Sequence, residues 1–114
     1  MTPNYVAVRE QWSVREVLDY VRAHGQDSET LNVVYVVDEQ GLLIDDVRIR
    51  EFLLTSLDNH VSDLMDRRFV ALKATDNQNA AVTVFRQYDR TALPVTDSAG
   101  VLIGIVTIDD VLDV

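Results

Sequence analysis

Residues 91–110 read TALPVTDSAGVLIGIVTIDD, and this stretch decides the fold. Its pattern predicts a short strand, a turn at residues 97–100, a second strand, and a helix that opens at Thr107. A degraded copy of the stretch, VYVVDEQGLLIDDVRIRE, occupies residues 34–51. Because the same pattern occurs twice, the sequence indicates an internal duplication.

The two copies align at an offset of 59 residues. The residues that they share are Asp38 and Asp97, Gly41 and Gly100, Leu43 and Leu102, Val47 and Val106, and Ile49 and Ile108. Residues 69–72, FVAL, also repeat residues 5–8, YVAV, and a helical pattern follows each of these runs. Each copy therefore predicts a β-α-β-β-α unit, the first in residues 1–60 and the second in residues 61–114.

Neither unit has enough chain to cover both faces of its own three strands. We therefore expect an α/β (α+β) fold in which the two tandem β-α-β-β-α units pack sheet to sheet about a pseudo-twofold axis. Two helix starts are also marked in the sequence. Ser13 and Glu16 predict a capping box for the helix of the first unit, and Thr75 and Gln78 predict one for the corresponding helix of the second.

The composition excludes several classes of protein. The chain has 114 residues, and no apolar run approaches the ~18 residues of a membrane-spanning helix, so we expect no direct membrane insertion of these residues. There is no cysteine, which excludes disulfides and thiolate metal sites. The net charge of −9 argues against a nucleic-acid partner and favours cations and basic surfaces. No serine lies in a G-x-S-x-G setting, so we expect no enzyme activity.

The second copy carries the most specific motif of the chain. Residues 93–95, LPV, are followed by Asp97 and Gly100, and residues 104–110 then fit the signature G-h-x-[ST]-x-x-[DN]. On these residues the chain resembles a tandem pair of CBS domains, a regulatory unit also called a Bateman module. A narrower resemblance, to the cytosolic CBS region of MgtE-type magnesium transporters, is carried by residues 5–8, 35–38, 61–65 and 105–114.

The resemblance implies a regulatory function. It implies that the chain is a fragment of a longer membrane transporter and works as a homodimer at the cytoplasmic face of the cell inner membrane. The N-terminal and transmembrane domains of the parent transporter are then its partners. It further implies a sensor of Mg²⁺ that gates a channel, with ATP or AMP as an additional ligand. Two alternatives remain: an adenine-nucleotide-binding CBS module that regulates a soluble enzyme, and a dimerisation module without a ligand.

Thr107 and Asp110 are the nucleotide candidates of the second copy. In CBS pairs that bind adenine nucleotides, the hydroxyl at this position reaches a phosphate and the carboxylate takes the ribose hydroxyls. A helix N-terminus favours such an anion because its N–H groups and its dipole point at the ligand. The alternative is that Thr-x-x-Asp only caps a helix.

The first copy has lost this signature. Asp45 replaces the glycine, Arg48 replaces the threonine, and Glu51 replaces the aspartate. On the resemblance, Arg50 and Glu51 still approximate the Arg-Asp pair that MgtE-like proteins present to ATP. Asp45 and Asp46 would repel a phosphate there, so we expect the nucleotide site of the first copy to be impaired.

Four aspartates stand where the transporter family carries acidic residues: Asp89, Asp109, Asp110 and Asp113. Mg²⁺ keeps several waters and takes one or two carboxylates directly, so a sensor of millimolar Mg²⁺ is expected to use several such weak sites. The alternative is that these aspartates are solvated helix ends. One departure from the family is residues 77–80, NQNA, where the family has Asp and Glu, so a cation site there is expected to be weakened or absent.

Overall fold

Each copy of the repeat folds into a three-stranded sheet with one helix between its first two strands. The computed structural model describes residues 1–27, 32–88 and 90–109. The elements of the first copy are β1 (Ala7–Val8), α1 (Val14–His24), β2 (Val33–Val37), β3 (Leu43–Arg48) and α2 (Ile49–Leu54), with a short 3₁₀ helix at Gly25–Asp27. The elements of the second copy are a 3₁₀ helix at Val61–Leu64, β4 (Leu72–Lys73), α3 (Gln78–Tyr88), β5 (Ala92–Thr96) and β6 (Leu102–Thr107).

The two sheets have the same topology. Their strand orders are β1-β2-β3 and β4-β5-β6. In each sheet the first two strands are parallel and are joined through a helix, whereas the last two form an antiparallel hairpin. The predicted α+β fold of two tandem units is therefore confirmed. Of the helix predicted to open at Thr107, the structure describes only Ile108 and Asp109.

The two hairpin turns are near copies of each other. The side chain of Asp38 accepts the N–H groups of Gln40 and Leu42, both at 2.9 Å. Asp97 accepts the N–H groups two and four residues later at the same distances. Gly41 and Gly100 complete the turns with φ angles of +84° and +91°, a backbone region that glycine adopts without steric cost. This chemistry explains why aspartate and glycine are shared at these positions.

The sheets meet through the two turns. The N–H of Leu43 donates to the carbonyl oxygen of Gly100, and the N–H of Leu102 donates to that of Gly41, both at 3.0 Å. The buried cluster that joins the copies consists of Tyr35, Leu43, Leu102 and Ile105. Because each copy donates to the other by equivalent residues, the pair has the pseudo-twofold arrangement that the sequence predicted.

The helix starts agree with the sequence in one case and differ in the other. Ser13 and Glu16 form the predicted capping box of α1. The predicted box at Thr75 was wrong, because α3 begins at Gln78 and the side chain of Asn77 accepts the N–H of Ala80 at 2.8 Å. Within the described ranges, no helix combines the length and the hydropathy needed to span a membrane.

Candidate functional site

Two adjoining clefts lie where the end of the first hairpin meets the second copy, and both are lined by Arg48 and Arg90. The smaller one, here called the arginine cleft, has a volume of about 310 Å³ and is lined by Asn32, Val33, Arg48, Ile49, Arg50, Arg90 and Thr91. The larger one, the mixed-charge cleft, has a volume of about 430 Å³ and is lined by Asp46, Val47, Arg48, Glu51, Leu64, Asp66, Arg68 and Arg90.

The chain positions the arginine cleft by one backbone contact that occurs in both copies. The N–H of Ile49 donates to the carbonyl oxygen of Asn32 at 3.0 Å, which fixes the start of α2 beside the start of β2. In the second copy the N–H of Ile108 donates to the carbonyl oxygen of Thr91 at 2.8 Å. The cleft lies between the β3–α2 junction of the first copy and residues 90–91, which lead into β5 of the second copy. Arg48 occupies the position that Thr107 has in the second copy.

An ion pair joins the two copies at the border of the clefts. Arg90 Nη2 lies 3.7 Å from Asp46 Oδ2, and the side chains are only 23% and 11% exposed. Burial raises the pKa of Asp46 above its ordinary value of 3.8, Arg90 opposes this shift, and Asp45 and Asp66 add to it. Burial likewise raises the pKa of Tyr35, and the charge of Asp46 raises it further. The carboxylate of Asp46 is thus held by Arg90 in a partly dry site.

Asp45 lines neither of the two clefts. Its side chain is fully buried, and one oxygen accepts the N–H of Asp46 at 2.8 Å. The other oxygen accepts the N–H groups of Asp66 and Arg67, both at 3.0 Å. Three backbone donors thus stabilise this carboxylate inside the protein, and its expected repulsion of phosphate stays a prediction.

The arginine cleft carries positive charge in an otherwise acidic protein. Of the ten lysines and arginines in the chain, three line this cleft, while the chain as a whole has a net charge of −9. Among the described residues that line it there is no carboxylate. Such a concentration of guanidinium groups is suited to an anion with several oxygens, such as a phosphate.

The structure places the predicted nucleotide residues in different settings. Arg50 lies in the arginine cleft, and Glu51 lies in the adjoining mixed-charge cleft, both with exposed side chains. Thr107 ends β6 and is half-buried. Asp110 lies outside the described residues. Arg90 was not predicted as a site residue, because a single basic residue between a helix and a strand does not indicate a binding site.

The predicted metal ligands cannot be assembled from the described part of the chain. Asp109 is exposed, two residues after the end of β6. Asp89, Asp110 and Asp113 lie outside the described residues. Within residues 1–27, 32–88 and 90–109, no group of three or more His, Cys, Asp or Glu side chains is placed to hold a metal ion. The assignment of these four aspartates to Mg²⁺ stays a prediction.

Comparison with known proteins identifies the family. A family model of the CBS domain matches residues 1–54 and matches again at residues 61–114. The chain therefore belongs to the CBS domain family, as a tandem pair.

Within that family, the chain is similar to magnesium transporters. The magnesium transporter MgtE of Thermus thermophilus is 42% identical over 114 residues, which are 100% of this chain and 25% of the transporter. A crystal structure of the cytosolic domain of the Mg²⁺ channel MgtE in complex with ATP has a TM-score of 0.95 and 42% identity, covering 99% of this chain and 46% of that one. The soluble part of a magnesium transporter follows with a TM-score of 0.93 and 30% identity, covering 97% of this chain and 43% of that one. This chain thus spans about a quarter of the length of its curated relative.

Proposed function

We propose that this chain is the regulatory CBS pair of an MgtE-like magnesium transporter, and that it binds an adenine nucleotide in the arginine cleft and senses Mg²⁺ through its acidic surface. The observation that supports the nucleotide site is the convergence of Arg48 and Arg50, at the β3–α2 junction, with Arg90 from the second copy. The similarity to an MgtE cytosolic domain in complex with ATP supports the choice of ligand.

The three arginines have distinct parts in this proposal. Arg48 and Arg50 are exposed at the start of α2, so their guanidinium groups are free to turn toward a phosphate. Arg90 is partly buried and is already paired with Asp46, so it contributes positive charge from a fixed position. Glu51, in the adjoining cleft, is the carboxylate available to a ribose hydroxyl.

Mg²⁺ has a separate part. Asp89, Asp109, Asp110 and Asp113 are the proposed ligands, each contributing to a weak and largely hydrated site. A site with free cation at three times its Kd stabilises the bound state by RT ln 4, about 0.8 kcal/mol. Several sites together reach a few kcal/mol, which is enough to shift a gating equilibrium about 100-fold.

The remaining parts of the proposal follow from the transporter context. The pair acts as a homodimer at the cytoplasmic face of the cell inner membrane, with the N-terminal and transmembrane domains of the parent transporter as its partners. It has no enzyme activity of its own, and its output is a change in the dimer that closes the channel.

Isothermal titration calorimetry with ATP, AMP and Mg²⁺ added separately tests this function. Arg48→Ala and Arg50→Ala should each weaken ATP binding at least tenfold, because each removes a charge-assisted contact of about 1.5–3 kcal/mol. Lys73→Ala is the matched control: Lys73 is exposed beside Thr96, at the opposite end of β5 from Thr91, so it removes one positive charge without altering the cleft.

Each outcome is informative. Equal losses in Lys73→Ala and Arg48→Ala would show that ATP responds only to net charge, and the arginine cleft would then not be the site. Binding of ATP without any response to Mg²⁺ would favour the nucleotide module of a soluble enzyme. No response to any of the three ligands would leave a dimerisation module.

A further inference from the structure

Asp45 is a fully buried carboxylate in the middle of a strand. Side chains alternate along β3, so Asp45 points inward with Leu43 and Val47, which are also buried. A buried carboxylate is tolerated only when its oxygens are satisfied. Here backbone N–H groups satisfy it, and two of the three belong to residues more than twenty positions away in the sequence.

The segment that Asp45 holds has an unusual backbone. Consecutive N–H groups of Asp66 and Arg67 converge on the same oxygen, which is the arrangement of an anion-binding nest. Arg67 has a φ of +59°, in the left-handed region that non-glycine residues seldom adopt. Such a conformation persists where its surroundings hold it in place, and the carboxylate of Asp45 supplies that hold.

The held segment forms one wall of the mixed-charge cleft. Asp66 and Arg68 line this cleft together with Arg48 and Arg90, and the N–H of Arg68 donates to Asp66 Oδ1 at 2.9 Å. The position of the Arg68 side chain therefore depends on the segment that Asp45 anchors.

The second copy makes the equivalent connection without a carboxylate. Gly104, the equivalent of Asp45, lies under Met1, and a Cβ added to it would come within 2.6 Å of Met1 Cγ. Beside it, Thr2 and Ile105 exchange two backbone hydrogen bonds of 2.8 and 2.9 Å. In both cases, the last strand of one copy holds the segment that leads into the first strand of the other copy. In the first copy the side chain of Asp45 makes this connection.

We propose that Asp45 is a positioning residue for the nucleotide site: its buried carboxylate anchors residues 66–68 to β3 and thereby holds Arg68 beside Arg48 and Arg90, where it extends the arginine cleft toward the far end of a polyphosphate. This inference rests on the proposed function for its ligand, whereas the anchoring itself concerns the free protein. The two parts can therefore be tested separately.

The first measurement needs no ligand. Amide hydrogen exchange by NMR should be at least about tenfold faster at Asp66 and Arg67 in Asp45→Gly than in the wild type, because the acceptor of these two N–H groups is gone. Asp38→Asn is the matched control, since Asp38 also accepts two backbone N–H groups in the same sheet but at the hairpin turn. It should leave exchange at Asp66 and Arg67 unchanged. Unchanged exchange in Asp45→Gly would overturn the anchoring.

The second measurement is ATP affinity by calorimetry. Asp45→Gly should raise the Kd about tenfold, which corresponds to about 1.4 kcal/mol, whereas Asp38→Asn should not change it. If Asp45 acts through Arg68, the double variant Asp45→Gly/Arg68→Ala should bind no more weakly than Arg68→Ala alone. Additive losses, or a Kd unchanged in Asp45→Gly, would overturn the positioning role.

If Asp45→Gly does not fold, Asp45→Asn takes its place in both measurements. It keeps the shape of the side chain but replaces one acceptor oxygen by a donor, so the same direction is expected in both measurements. If the wild type takes up no ATP, the proposed function fails and the positioning role with it, while the exchange rates still decide whether Asp45 anchors the segment.

Discussion

The ion pair between Asp46 and Arg90 sets the electrostatics at the border of the two copies. Burial raises the pKa of Asp46, and the opposing effect of Arg90 does not cancel this shift. A carboxyl group whose pKa is higher in the folded than in the unfolded protein binds its proton more tightly when folded. It therefore lowers stability as the pH rises from its ordinary value of 3.8 through the raised folded value.

Asp46→Asn should accordingly become more stable relative to the wild type as the pH rises from about 3.5 to 7. At the low end Asp46 is neutral in the wild type and resembles asparagine, so the two proteins should melt at similar temperatures there. Thermal unfolding followed by circular dichroism across this range measures the difference. Asp58→Asn, which removes a carboxylate at an exposed position, is the control. If the stability of Asp46→Asn relative to the wild type instead falls with rising pH, the ion pair outweighs the cost of burial.

At the residue scale, the burial of Asp45 follows from the sequence pattern of β3. The alternation of β3 places Asp45 on the same face as Leu43 and Val47, so an inward carboxylate with buried partners was predictable from the period of two. The identity of its partners was not, because Asp66 is 21 residues away and contact between them depends on how the two copies pack. The same holds for the pairing of Arg90 with Asp46.

At the start of α3, the sequence predicted a cap at Thr75, whereas the structure has the capping side chain at Asn77. Asn77→Ala should lower the free energy of unfolding by about 1 kcal/mol, because its side-chain oxygen accepts the N–H of Ala80 at the helix start. Thr75→Ala should change it by less than about 0.5 kcal/mol, because Thr75 lies three residues before the helix begins. Urea titration of both variants distinguishes the two positions. A larger loss in Thr75→Ala would restore the capping box that the sequence indicated.

Helix α2 presents an apolar surface that fits the proposed homodimer. Leu53 and Leu54 are 66% and 75% exposed on consecutive positions near its end. Their joint replacement by serine should weaken dimerisation at least tenfold, because each leucine buried at an interface contributes about 1.5–3 kcal/mol. Sedimentation velocity measures the change, with Ile103→Ser, an exposed residue of β6, as the control. An unchanged dimer in the leucine variant would place the interface elsewhere.

Elements with strong local signals were predictable, and short elements were not. The capping box of α1 and the buried faces of Val14 and Val17 follow from spacing alone. The continuous apolar run of β2 is likewise typical of a strand covered on both faces, and its central three residues are buried. By contrast, β1 and β4 have two residues each, and their pairing with β2 and β5 is set by tertiary contacts.

For the whole molecule, the duplication was the most informative property of the sequence. It predicted two like sheets and their pseudo-twofold packing, because two incomplete units can cover each other. It did not reveal the reciprocal hydrogen bonds between the turns at Gly41 and Gly100, since both turns look complete by themselves. Nor did it reveal that the broken signature of the first copy leaves a cleft with three arginines.

The net charge of −9 makes the compact domain repel itself, and bound Mg²⁺ relieves this repulsion. With three sites at three times their Kd, ~10 mM Mg²⁺ should add about 2.4 kcal/mol and raise the melting temperature by roughly 5–10 °C. Small-angle scattering should show a smaller radius for the dimer under the same conditions. About 30 mM NaCl matches the ionic strength and should change neither the melting temperature nor the radius.

Because the effect of Mg²⁺ is spread over several weak sites, Asp109→Asn should remove no more than about a third of it. A dimer whose radius and melting temperature are the same with and without Mg²⁺ is not a magnesium sensor. Complete loss of the response in Asp109→Asn would show that one site, and not several, binds the Mg²⁺.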